Sequence, residues 1–156
     1  MVAVPRKALL EAARRAKITR AAAKLLRLAK KPSSRNLGHN LRVAGRHPTR
    51  VAGKATDDAA HLVPKGSNYA SAKAARAILK KFGIHVDEPI NGSWLPHGRD
   101  ATRYPNPHGK SPHQATHRRA YYDALYNLLK NCKNEKEVLD VLDYVRGELD
   151  KGIWPP

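Results

Sequence analysis

Ala59-Ala60-His61-Leu62-Val63-Pro64 is the stretch on which the reading of this chain turns. His61-Leu62-Val63-Pro64 is short and apolar and reads as a β-strand running into a turn at Lys65-Gly66-Ser67. Working outward, residues 71–82 have the spacing of a helix, with Ala74, Ala77, Ile78 and Leu79 inward and Gly83 as its cap. Residues 84–90 connect to a turn at Asn91-Gly92, and Ser93-Trp94-Leu95 is a second short strand that ends at Pro96. Residues 97–112 are rich in Gly, Pro, Asn and His and form a long loop, a type of segment that is often functional. Residues 113–130 read as one helix with Ala120, Leu125, Leu128 and Leu129 toward the core. Asn134 with Glu137 spells a capping box that opens a last helix to about Lys151.

Upstream, a basic helix is expected over residues 6–31, started by Pro5 and ended by Pro32-Ser33-Ser34. A short helix follows over 36–44, closed by Gly45, and residues 46–57 read as loop. Charge is distributed unevenly. Residues 1–54 carry 15 basic side chains against Glu11 alone, a net +14; residues 55–156 carry 15 against 12, a net +3. The chain therefore divides into a basic helical segment, 1–54, and a nearly neutral domain, 55–156. Such a pairing suits binding a polyanion and acting on it, with nucleic acid ahead of an anionic membrane surface. The basic helix has no aromatic anchor, and no apolar run approaches the ~20 residues of a membrane span, so stable membrane insertion is not expected. Six Tyr, two Trp and one Phe make no stacking platform for single strands, which favours duplex DNA over RNA.

Cys132 is the only cysteine, so an internal disulfide and a four-cysteine zinc site are excluded, and any metal ion must be held by His, Asp, Glu or Asn. His113 and His117, four apart at a helix start, would lie on one face and share an ion. Taken singly, each feature has an ordinary explanation: His61 as a core histidine, Asn91 as a turn residue, the His113/His117 pair as a surface pair. Their order is more specific than any one of them.

A histidine strand, an Asn-Gly turn and a His-bearing helix, in that order, resemble the AHH branch of the HNH/endonuclease VII nucleases. That family runs Ala-His-His-hydrophobic-Val-(Pro/Ala), a helix with Gly-Ile, Asn-Gly-x-x-Leu-Pro, then His-x-x-x-His and Tyr. The matching stretches are residues 59–64, 74–84, 91–96 and 113–122, and Asn36-Leu37, Asn40-Leu41 and Ala44-Gly45 are similar to its lead-in. The resemblance spans about 36–130. It implies a mostly α fold with a small β-hairpin clamped on the 113–130 helix, a ββα-metal (His-Me finger) core behind the basic N-terminal helix. It implies an endonuclease in which His61 is the general base, Asn91 fixes the loop and orients the His61 ring by hydrogen bonding, and His113 and His117 hold one divalent ion, whether Mg, Mn, Ni or Zn. Arg118, Arg119 and Lys65 would contact DNA. It further implies the C-terminal part of a larger delivered toxin, acting in the target-cell cytoplasm and neutralised by a cognate immunity protein.

One position departs from the pattern. The family has a metal-binding histidine just before the base, where this chain has Ala60. Three readings stand at this point: an inactivating His-to-Ala change, replacement of the ligand by Asp57 or Asp58, or a degenerate nuclease that only binds nucleic acid. Should the Asp residues not serve, His108 is the next candidate ligand.

Overall fold

The computed structural model describes residues 31–154, so the expected basic helix lies outside the described residues save for Lys31. Among the described residues are four α-helices and two antiparallel strand pairs, the mostly helical ββα-type architecture the sequence implies.

Helix α1 (Ser34–Val43) starts two residues earlier than expected, because Ser33 caps it: its hydroxyl accepts from the Asn36 N–H at 3.0 Å. Residues 46–57 are not simply loop. Arg50–Val51 (β1) and Lys54–Ala55 (β2) pair around Ala52 and Gly53, both at positive φ, which is the backbone a two-residue hairpin turn demands.

The central strand is displaced from its expected place. β3 is Asp57–His61, and it pairs antiparallel with β4, Gly92–Pro96, with His61 opposite Gly92 and Ala60 opposite Ser93. Leu62 and Val63 leave the ladder because Asn91 takes their backbone groups. Leu62 N–H donates to the Asn91 carbonyl at 2.9 Å, Val63 N–H to Asn91 Oδ1 at 2.8 Å, and Asn91 Nδ2 donates to the Val63 carbonyl at 3.1 Å. Strand alternation then divides the core. Ala59 and Trp94 pack with Leu37 and Leu41 of α1, while Ala60 and Leu95 join the larger core of Leu62, Tyr121, Leu125 and Leu142.

Helix α1 belongs to this domain. The position of a Cβ on Gly92 would lie 2.6 Å from Leu37 Cδ1, and one on Gly38 would lie 3.2 Å from Trp94 and 3.3 Å from Ala59, so two glycines let helix and strands approach. The compact unit accordingly begins at Pro32, not at residue 55.

Helix α2 (Ala70–Lys81) buries Ala72, Ala75 and Leu79, a face rotated from the one expected, with Ala77 exposed. The segment read as one helix over 113–130 is two. His113–His117 is a short 3₁₀ turn; Arg118 is extended (φ −107, ψ 148); and α3 runs Arg119–Leu129. The Thr116 hydroxyl donates to the His113 carbonyl at 2.8 Å and so competes for an acceptor a continuing α-helix would use. Tyr121 and Tyr122, not Ala120 and Leu128, join Leu125 and Leu129 inside, and the Tyr121 hydroxyl donates to the Leu62 carbonyl at 2.9 Å. Helix α4 (Glu135–Asp150) opens at Asn134, whose side chain accepts from the Glu137 N–H.

Candidate active site

His61 ends β3, and its ring is nearly buried. Its Nε2 stands 2.7 Å from Asp87 Oδ1, in the connector after α2. The Asp87 carboxylate also accepts the Ser33 N–H at 3.0 Å, and its own N–H donates to His85 Nδ1 at 3.1 Å. A carboxylate on Nε2 places the ring proton there and leaves Nδ1 as the basic atom. Burial holds the His61 pKa below the ordinary imidazole value, and Asp87 offsets only part of that.

The expected contact between Asn91 and the His61 ring is absent. The Asn91 side chain is occupied by the backbone of Val63 and by the Val86 carbonyl (2.8 Å). Asn91 ties the Leu62–Val63 segment that follows His61 to the connector at Val86, and Asp87 holds the ring. Sequence reading missed Asp87, because nothing in a lone Asp between Val86 and Glu88 marks it as the partner of a histidine 26 positions earlier.

His113 and His117 meet although they are not on an α-helix: their Nε2 atoms are 3.0 Å apart. Asp58 Oδ2 accepts from His113 Nδ1 at 3.2 Å and from His97 Nδ1 at 2.5 Å. Burial alone would raise the Asp58 pKa, but the bonds from His97 and His113 outweigh it and hold the carboxyl below its usual value. Asp58 and His117 thus occupy opposite nitrogens of the His113 ring. That geometry corrects the assignment of Asp58 as a ligand beside His113 and His117. A ring that presents Nε2 to an ion keeps Nδ1 for the carboxylate that orients it. Nothing in the polar loop of residues 97–112 marks His97 as a partner of Asp58.

His61, His113, His117, Lys65, Ser34 and Tyr122 line one cavity of ≈ 370 Å³. Ala60 does not reach it; this residue is 0% exposed and packed in the core. Asp57 does not line it either; it lies 3.5 Å from Lys110 and accepts the Thr49 N–H. Arg119 lies near Asp123, Arg118 lines a separate groove with Arg99, and His108 is exposed away from the cavity.

Residues 43–144 match the family model described as AHH, a nuclease family of the HNH/ENDO VII superfamily with conserved AHH. The chain belongs to the AHH nuclease family. No curated protein and no solved structure matches it. Ala59-Ala60-His61 lies within the matched residues of this AHH nuclease.

Nucleases of the superfamily typically use a divalent metal ion. The His113/His117 pair fits two ligand positions: imidazoles on one tetrahedral ion with bonds of about 2.0–2.1 Å stand roughly 3.4 Å apart, and these stand 3.0 Å apart on the cavity wall. Among the described residues no group of three or more His, Cys, Asp or Glu is placed to hold an ion. Two imidazoles are what the described residues of this AHH nuclease offer.

Proposed function

We propose that this AHH nuclease is a metal-dependent endonuclease that hydrolyses DNA phosphodiesters, with His61 as the general base. The observation that carries this is the buried His61–Asp87 pair opening on the same cavity as His113 and His117. Asp87 fixes the ring and its tautomer. His61, kept neutral by burial, takes a proton from an attacking water at Nδ1. Lys65, exposed on the cavity rim, meets phosphate charge, and Arg118 and Arg119 extend the basic surface. A divalent ion held by His113 and His117 would supply stabilisation of charge on the scissile phosphate and on the leaving 3′-oxygen. Imidazole donors suit Zn²⁺ or Ni²⁺ better than Mg²⁺.

The net charge of +17 supports a polyanionic substrate. Family resemblance supports the further reading of a delivered toxin domain, acting in a target-cell cytoplasm and paired with an immunity protein. Ala60 favours a second reading, a degenerate member that binds nucleic acid without cutting it. Plasmid nicking separates the two. Supercoiled DNA is incubated with the chain and Mg²⁺, Mn²⁺, Ni²⁺ or Zn²⁺, with H61A as control. Metal-dependent nicking lost in H61A supports the enzyme; binding with no nicking under any metal establishes the degenerate reading.

A further inference from the structure

A second cavity, of ≈ 240 Å³, lies beside the hairpin away from His61, and Arg46, Arg146, Lys110 and His47 line it with Ser93 and Asp150. Arg46 enters after Gly45, whose positive φ (77°) turns the chain out of α1. Its backbone is anchored on both sides: Arg46 N–H donates to the Leu41 carbonyl at 2.9 Å, and Trp94 Nε1 donates to the Arg46 carbonyl at 3.1 Å. In its side chain Nη2 donates to the Pro89 carbonyl, while Nη1 is buried and has no partner. Buried polar atoms are rarely left so.

The surrounding charges do not supply that partner. Asp150 accepts from the Ser93 hydroxyl at 2.9 Å, Asp143 pairs with Arg146, and Asp57 lies 3.5 Å from Lys110. The Arg46 pKa is pushed down to about 10, first by burial and then by the facing Arg146, with Asp150 pulling the other way. Arg46, Arg146 and Lys110 thus line one cavity, Arg46 with a buried Nη1 that has no partner, and a guanidinium fork matches the oxygens of a phosphate.

We propose that this cavity binds a backbone phosphate of the nucleic-acid strand, remote from the bond being cut. Arg146 and Lys110 each have a carboxylate neighbour in Asp143 and Asp57, and Asp150 lines the cavity itself, so its excess positive charge is small and suits a singly charged diester. Helix α1 links the linings of the two cavities: Ser34 lines the candidate active site and Leu41 this one, seven residues or about 10 Å of helix apart. The anion chemistry stands on the cavity alone; its source in a substrate strand rests on the nuclease reading.

The test has two arms on the full chain. Inorganic phosphate is titrated at constant ionic strength while the Trp94 indole N–H is followed by NMR, since that group is bonded to the Arg46 carbonyl. We expect a saturable shift, at least 5-fold weaker in R146Q, in K110Q and in R46K, which keeps the charge but removes Nη1. No saturation, or saturation unchanged in both R146Q and K110Q, overturns the site. In the second arm, duplex DNA affinity is measured against salt with chelator present, so that no cleavage intervenes. The slope of log K against log salt should fall by about 0.9 in R146Q, one phosphate contact. An unchanged slope with intact phosphate binding overturns the strand as the source. Both arms holding in a chain that never cuts DNA leaves the site standing and removes the nuclease reading.

Discussion

Asp87 Oδ1 stands 2.7 Å from His61 Nε2, and the aspartate is itself only 1% exposed at its side chain. Its other oxygen receives the backbone N–H of Ser33, the cap of α1. One carboxylate therefore joins the end of β3 to the start of α1, and the orientation of the candidate base depends on both. Removing either partner leaves a buried polar group unpaired, which is where its sensitivity to mutation comes from.

Asp87→Asn should lower the DNA cleavage rate about 10²-fold with little change in KM, because the ring loses its anionic partner but the shape is kept. Asp87→Ala should in addition destabilise the fold by about 1–3 kcal/mol, since the Ser33 and His61 N–H groups both lose their acceptor. Steady-state kinetics and urea denaturation read the two effects. Wild-type kinetics in Asp87→Asn would refute the positioning role.

The acid limb of the rate profile should lie below pH ~6.5, the ordinary imidazole value. His61 must be neutral to act as base, and burial has lowered its pKa, so activity is lost only as pH falls through that lowered value. Asp87→Asn removes the interaction that raises it, so the limb moves to still lower pH. Stability follows the same sign. The unfolded chain protonates His61 near 6.5 and the folded chain only below that, so the contribution is full above ~6.5 and is lost as pH falls from there to the folded pKa. Profiles of kcat/KM against pH for both proteins decide it; a limb that rises in Asp87→Asn contradicts the scheme.

His113→Ala/His117→Ala should abolish saturable binding of Zn²⁺ or Ni²⁺ in calorimetry with modest loss of stability, since His117 is exposed and His113 only partly buried. Asp58→Ala should weaken that binding by about 10–100-fold without abolishing it, as expected of a group that orients a ligand. Complete loss on Asp58→Ala would restore Asp58 as a ligand.

Ala60→His should raise metal affinity if the family's ligand position is regained, but at a cost in stability. Position 60 is 0% exposed and lies in the core, so an imidazole overpacks it by about 1–3 kcal/mol. Thermal melting and metal titration of the variant test the two halves separately. An unchanged melting temperature would show that the core accommodates the ring.

Deleting residues 1–30 removes nine basic side chains against Glu11 and should flatten the salt dependence of DNA binding. The deletion must stop before Pro32. Removing residues 1–35 would take away Ser33, which caps α1 and donates to Asp87, and would confuse a lost DNA contact with a disturbed base. Equal salt slopes for the full chain and the 31–156 form would eliminate the basic segment as a contact.

Much of the architecture was legible because it rests on local signals. Gly83 and the Asn134/Glu137 pair mark helix ends by backbone requirements that any tertiary context must respect. The span of β3 was not legible. Its limit is imposed by Asn91, which occupies the backbone of Leu62 and Val63 from a distant part of the chain. The break at Arg118 was missed for a similar reason, since the 113–130 composition suits a continuous helix.

By itself the sequence determined the order of the chemical groups, His61, Asn91, His113 and His117, along with the asymmetry of charge and the departure at Ala60. Those are properties of residue identity and spacing. Tertiary structure alone decided which atoms meet. It gave His61 to Asp87 instead of Asn91, set Asp58 behind His113, buried Ala60 in the core and left Arg46 Nη1 without a partner. Hydrogen bonds form within about 3 Å in space whatever the separation along the chain, and that proximity exists only once α1, the β3–β4 pair and the 3₁₀ turn at His113–His117 have packed.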